Sequence, residues 1–284
     1  MDDILAGNRG PRRRGLDICR FLVLKLNMTF KFITRAAPAA ALLVLALAAP
    51  AHADRRAYGQ TYEAVTASRG ELDVEMWTTY ANLGEVDGGP PSPGVREMIE
   101  LEYGLTDRWD VALYNMLDIT NGDTDSGYAG FKIETRFRPT FRGEWIVDPV
   151  FYAEFQQLFR GDADQKLELK LILAKDVGPL NVALNLAFEG EIAGGDFNPE
   201  FEWAFGASYG FGAAVKLGAE IFGKLERGEG DDGDVHRVWA GPALSFATAP
   251  GGALRGLWVT VAAGAGLTAG SDDFYGRAIV GLQF

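Results

Sequence analysis

The chain has 284 residues, one Cys, 36 Gly, 12% aromatic residues and a formal net charge of −12. That length allows one large domain or two ordinary ones, and a single Cys (Cys19) excludes a disulfide scaffold or a multi-thiolate metal site. Residues 1–53 hold eight Lys/Arg against three Asp/Glu, so the remainder carries −17, an acidic surplus that argues against nucleic-acid binding, which needs clustered Lys and Arg to neutralise phosphates.

The first feature along the chain is MTFKFITRAAPAAALLVLALAAPAHA, Met28–Ala53. Lys31 and Arg35 form a positive start, Ala36–Ala49 an apolar core, and Ala51-His52-Ala53 a small-x-small cleavage site, the layout of a secretory signal peptide. The apolar run is too short for the roughly 20 residues of a spanning helix. The expected translation start is therefore Met28, with residues 1–27 an upstream extension, and the expected mature chain begins near Asp54 and leaves the cytoplasm. Residues 54–69 are expected as a periplasmic lead-in to a single domain over residues 70–284.

From residue 70 the dominant hydropathy period is two. In LDVEMWTTY, Leu72, Val74, Met76, Thr78 and Tyr80 share one face, and Asp73, Glu75, Trp77 and Thr79 the other. VREMIELEY repeats the pattern, and after the turn residues GLTD (104–107) RWDVALYNM returns with it. Further strands are predicted at 127–138, 146–158, 164–174, 180–190, 199–210, 213–224, 235–246, 256–268 and 273–284. The clearest is QKLELKLIL, where Leu167, Leu169, Leu171 and Leu173 fall on one side of a strand but would scatter around a helix. About twelve strands of about ten residues give an all-β fold: a single antiparallel transmembrane barrel, apolar outside and polar inside. A soluble sandwich would have shorter strands and an apolar interior.

With the apolar stripes facing lipid, the charged positions must face the lumen, since charge is costly on the lipid face at mid-depth. The lumen-lining candidates are Glu75 on the first strand, Arg96, Glu100 and Glu102 on the second, Lys132, Glu134 and Arg136 on the fourth, and Glu154 on the fifth. They continue with Lys166, Glu168 and Lys170, then Glu202, Lys216 and Glu220, and finally Arg237 and Arg277. These groups either neutralise one another and fill the barrel, or line a water-filled path that sorts solutes by charge. About twelve strands lie between the side-chain-filled barrel of eight and the open channel of sixteen. Short connections at 104–107, 139–143, 176–179 and 210–212 alternate with longer, acidic ones near 82–94, 118–126, 190–198 and 225–234, as expected for periplasmic turns and outer loops.

Three functions are open at this level: a passive channel for small solutes, a closed accessory barrel with an ion-paired lumen, and a lipid-modifying enzyme. The enzyme reading needs a Ser within hydrogen-bond reach of a His. The chain after residue 53 has only His236, followed by Arg237, Val238 and Trp239, with Ser245 nine residues on, so no catalytic residue is assigned. ERGEGDDGD (226–234) lacks the spacing of a calcium loop, and AAGAGLTAG (262–270) is not a phosphate loop because no Lys-Ser/Thr follows. No metal or cofactor is implied.

The signal peptide, the alternating strands and the closing FYGRAIVGLQF together resemble Gram-negative outer-membrane β-barrel proteins. Phe284 matches the C-terminal aromatic of the signal read by the barrel-assembly machinery, and Leu282 and Val280 match the alternating apolar positions before it. EYGLTDRWDVAL (Glu102–Leu113) also resembles a strand–turn–strand common in a family of outer-membrane channels named from phenol-degradation operons. The resemblance implies a porin-like transport protein of the bacterial outer membrane. Its partners would be outer-membrane lipid, lipopolysaccharide, the assembly machinery and a small-molecule solute. It implies no particular solute.

Overall fold

The computed structural model describes residues 56–82, 93–120, 126–159, 165–193, 196–226, 235–248 and 256–284. The signal peptide expected before Asp54 and the acidic stretch 227–234 lie outside them. Among the described residues there is no helix. Twelve strands occur: β1 (Leu72–Asn82), β2 (Pro93–Thr106), β3 (Trp109–Thr120), β4 (Gly127–Phe137), β5 (Asp148–Leu158), β6 (Gln165–Val177), β7 (Leu180–Ala193), β8 (Asp196–Phe211), β9 (Val215–Glu226), β10 (Val235–Ala247), β11 (Leu257–Gly266) and β12 (Phe274–Gln283). Each pairs antiparallel with its chain neighbours, and β12 pairs with β1, closing the barrel. Closure leaves no strand edge with unpaired backbone groups, the condition for a sheet to stand in lipid.

The period-two pattern fixes which face points where. On β6, Leu167 and Leu169 are 50% and 64% exposed while Glu168 between them is 7% exposed. Large apolar side chains on the outside and buried carboxylates within invert the layout of a soluble sandwich. Trp77 and Trp258 are inward and buried, as their positions in the stripe predict, and Trp109 and Trp145 are exposed near one rim.

The predicted alternation of short and long connections is only partly right. The stretch expected as a loop over 190–198 is mostly strand: β7 continues to Ala193 and β8 begins at Asp196, with the ladder running out to Ala193–Asp196. Ladder bonds there satisfy backbone groups that a loop would leave to water. On the opposite rim, residues 138–147 and 248–256 make longer connections than the two-residue turn at Gly178–Pro179. Gly178 has φ of 60°, the left-handed region that this tight turn requires.

Phe284 completes the seam. Its N–H donates to the Leu72 carbonyl (2.9 Å) and its carbonyl accepts the Leu72 N–H (3.4 Å), so the end of the chain and the start of β1 sit on the same rim. The stretch before β1 departs from expectation. Expected as a lead-in, it folds up inside the barrel over residues 56–67. Ala57, Tyr58, Ala64 and Ala67 are 0–2% exposed, against inward side chains of the wall. The physical reason is space: twelve strands enclose more volume than their own inward residues fill.

Candidate functional site: the barrel lumen

The lumen has two levels. The level nearer Leu72 is filled by residues 56–67, which form a strap touching opposite walls. Beside β2, the Ala67 N–H donates to Glu102 (3.2 Å) and Asp110 (2.9 Å). Further along, the Tyr62 N–H donates to the Asn185 side chain of β7 (2.6 Å), which donates back to the Tyr62 carbonyl (3.0 Å). Glu220 of β9 accepts the N–H groups of Gly59, Gln60 and Thr61 and the Thr61 hydroxyl, at 2.9–3.1 Å. The Tyr58 hydroxyl donates to Asn181 (2.9 Å), and Glu63 takes the Lys216 ammonium (3.1 Å). Burial raises the Tyr58 and Tyr62 phenols above their usual range, so both stay protonated.

Small inward residues make room for the strap. A Cβ on Gly206 would lie 2.7 Å from the Tyr58 ring, one on Gly218 3.2 Å from it, and one on Gly104 1.8 Å from the Ser68 carbonyl oxygen. Gly104, Gly206 and Gly218 are therefore clearance for a lumenal segment.

At the boundary between levels, cations and aromatic rings alternate. Lys170 lies over Tyr152 (4.4 Å) and Tyr62 (4.6 Å), Arg56 over Tyr62 (4.4 Å) and Trp77 (4.5 Å), and Arg277 over Trp77 (5.1 Å) and Tyr275 (5.4 Å). Arg277 also donates to the Thr79 hydroxyl and the Gly59 carbonyl, both at 2.9 Å. Arg56 donates to Glu75 (3.2 Å) and lies 3.7 Å from Glu100, which accepts the Trp77 indole N–H (3.0 Å). The strap thus ends against the β1–β2 wall with its first described cation ion-paired.

Above the strap is a cavity of about 290 Å³, with Gln60 and Tyr62 at its floor. Of its charged lining, Glu154, Glu168 and Glu189 belong to a longer row set by the register of the strands. Glu134, Glu154, Glu168, Glu189, Glu200 and Glu226 stand directly opposite one another across β4 to β9. The same row continues backward through Ala112 to Glu102 and Asp73. Asp73 is the second residue of β1 and Glu226 the last of β9, so the row climbs from rim to rim as the tilt of barrel strands requires.

Basic positions flank the row on both sides. One rail holds Arg136, Lys170, Lys224 and Arg237 in the register Arg136–Tyr152–Lys170–Ala187–Glu202–Lys224–Arg237. The other holds Lys132 and Lys166, on either side of Gln156. Each of the six glutamates meets a cation from a rail: Arg136–Glu134 at 3.2 Å, Lys132–Glu154 at 2.9 Å, Lys170–Glu168 at 2.7 Å, Lys166–Glu189 at 3.1 Å, Lys224–Glu200 at 3.5 Å and Arg237–Glu226 at 3.1 Å. Arg136 also bridges Asp110 and Glu102, and Arg96 pairs with Asp118 at 2.7 Å.

All sixteen sequence-predicted lumen candidates occupy inward positions. Glu220 and Lys216 serve the strap, Glu75, Glu100, Glu102 and Glu134 the boundary and lower wall, and the remainder the cavity or its rails. The sequence reading missed Arg56, Tyr58, Tyr62 and Glu63, which follow no strand period. The carboxylates of Glu189, Glu200 and Glu202 lie within 4.8 Å of one another, but Lys166 and Lys224 already neutralise two of them, so a metal ion would have to displace ammonium groups. His236 is exposed on the outward face of β10, and the nearby Ser271 hydroxyl bonds the Val238 backbone at 2.7 and 2.9 Å. The expected assembly-signal positions Val280, Leu282 and Phe284 lie on the outward face of the last strand, Phe284 being 68% exposed.

No family model and no curated protein matches the sequence. Among solved structures, the chain is similar to an outer membrane channel from Pseudomonas putida F1, with a TM-score of 0.52, 12% identity, and 84% of this chain and all of that chain covered. A KdgM porin in complex with disordered oligogalacturonate (TM-score 0.49, 10% identity) and a NanC porin (0.48, 11%) each cover 75% of this chain and 98% of their own. At these identities the likeness to the Pseudomonas channel concerns architecture alone: this chain folds as a closed twelve-stranded antiparallel barrel.

Proposed function

We propose that the protein is an outer-membrane barrel that passes small solutes through a narrow lumen, with residues 56–67 as its constriction. The observation that carries this reading is the 290 Å³ cavity above the strap, lined by acidic and basic side chains. A barrel built only to be closed can fill its interior with apolar side chains. Here the interior keeps charged groups beside open space, where they can exchange partners with a passing solute. The apolar exterior fits lipid and lipopolysaccharide as surroundings, and the fold shared with a bacterial outer membrane channel fits that location.

In this reading the chain is exported by its N-terminal signal and inserted by the barrel-assembly machinery through Val280, Leu282 and Phe284. Planar-bilayer recording of the refolded protein tests the channel: small discrete steps are expected, and silence at every voltage would favour the closed accessory barrel. Deleting Phe284 is expected to reduce the inserted fraction without changing the conductance of inserted molecules, measured by membrane fractionation and single-channel recording.

A further inference from the structure

The charge rows carry a statement about which solutes the lumen favours. Like charges directly opposite on neighbouring strands destabilise pairing, yet five consecutive strand pairs, β4–β5 to β8–β9, place glutamate opposite glutamate. Strand pairing does not account for that row. It creates a strip of carboxylates with ammonium or guanidinium groups two residues away along β4, β6 and β9. Adjacent members meet as ion pairs in the cavity, among them Lys132–Glu154, Lys166–Glu189 and Lys170–Glu168.

A solute moving along such a strip must exchange with these pairs. A lone cation taken up by a glutamate leaves the lysine without a partner in a partly desolvated wall, and a lone anion does the reverse to the glutamate. A small molecule carrying both an ammonium and a carboxylate replaces both partners at once and leaves no charge unmatched. The aromatic faces of Tyr62, Trp77 and Tyr152 are already covered by Lys170, Arg56 and Arg277, which disfavours stacking of an apolar ring there.

On the channel reading above, we infer that the lumen favours small zwitterions over neutral, anionic or cationic molecules of the same size. The test is flux of four labelled isosteres into proteoliposomes holding the full refolded barrel: alanine, lactamide, lactate and alaninamide. Alanine is expected to pass about threefold faster than each of the others, the scale of one partly exposed ion pair. The double substitution Lys166→Gln with Glu189→Gln, checked for folding by its heat-modifiable migration, is expected to lower that ratio. Lactamide passing as fast as alanine through the unsubstituted barrel overturns the inference and leaves the channel standing. No flux of any of the four overturns both.

Discussion

The two levels of the lumen are built from the same twelve strands but solve the problem of interior polar groups differently. In the lower level the partner is backbone: Glu220, Asn185 and Glu102 accept N–H groups of the strap, and glycines clear space for it. In the upper level the partner is another side chain, and carboxylates meet cations across an open cavity. A carboxylate bonded to backbone N–H groups is tied to one segment, whereas one bonded to a lysine can trade it for another cation. On the channel reading proposed above, the lower level sets how wide the path is, and the upper level sets what passes.

The largest expected effect comes from removing the lower level. Deletion of residues 56–66 should raise single-channel conductance roughly tenfold, toward that of a bare twelve-stranded lumen; equal conductance with and without the strap would erase the distinction between levels. Next is Glu220→Ala, which withdraws the acceptor from three N–H groups and a hydroxyl. Loosening of the strap by about 3 kcal/mol is expected, read as faster amide exchange at residues 59–61 with the strand amides unchanged.

Gly206→Leu attacks the same level by overpacking. A side chain where even a Cβ meets the Tyr58 ring at 2.7 Å should cost about 1–3 kcal/mol, seen as a lower temperature for the heat-modifiable gel shift. The smallest effect belongs to the upper level: Lys224→Met removes a cation near Glu200 and Glu226 and should shift the reversal potential in a salt gradient toward cations by roughly a twofold permeability ratio. A comparable shift with the strap deleted would show that the two levels act independently.

The walls were legible in the sequence because a barrel repeats one local rule. LELKLIL and NVALNLAFE place their apolar residues by period two, and that period needs no knowledge of neighbouring strands. The strap was not legible. RAYGQTYEAVTASR has no strand or helix period, and its Tyr and Ala residues read as an ordinary polar connection until Asn181, Asn185 and Glu220 are seen in contact with it. One signal was available: inward glycines at 206 and 218, too small to fill a lumen of this width, implied a separate filler. The glutamate row was hidden for another reason. Glu134, Glu154 and Glu168 are visible as inward charges and Glu226 reads as part of an outer loop, but the opposition of the row depends on register, which period two fixes only in steps of two residues and turn geometry settles.

The strap also constrains the order of assembly. Residues 56–67 precede β1 in the chain and reach into the barrel from the rim where Phe284 pairs with Leu72. The filler is thus synthesised before any of the wall, and the final strand closes beside it. If the last seam formed first, Arg56 and Tyr58 would have to be threaded, with their polar partners, into a finished cylinder. Closing the wall around a segment already in place avoids that passage, and residues that precede every strand in the chain come to lie inside the strands.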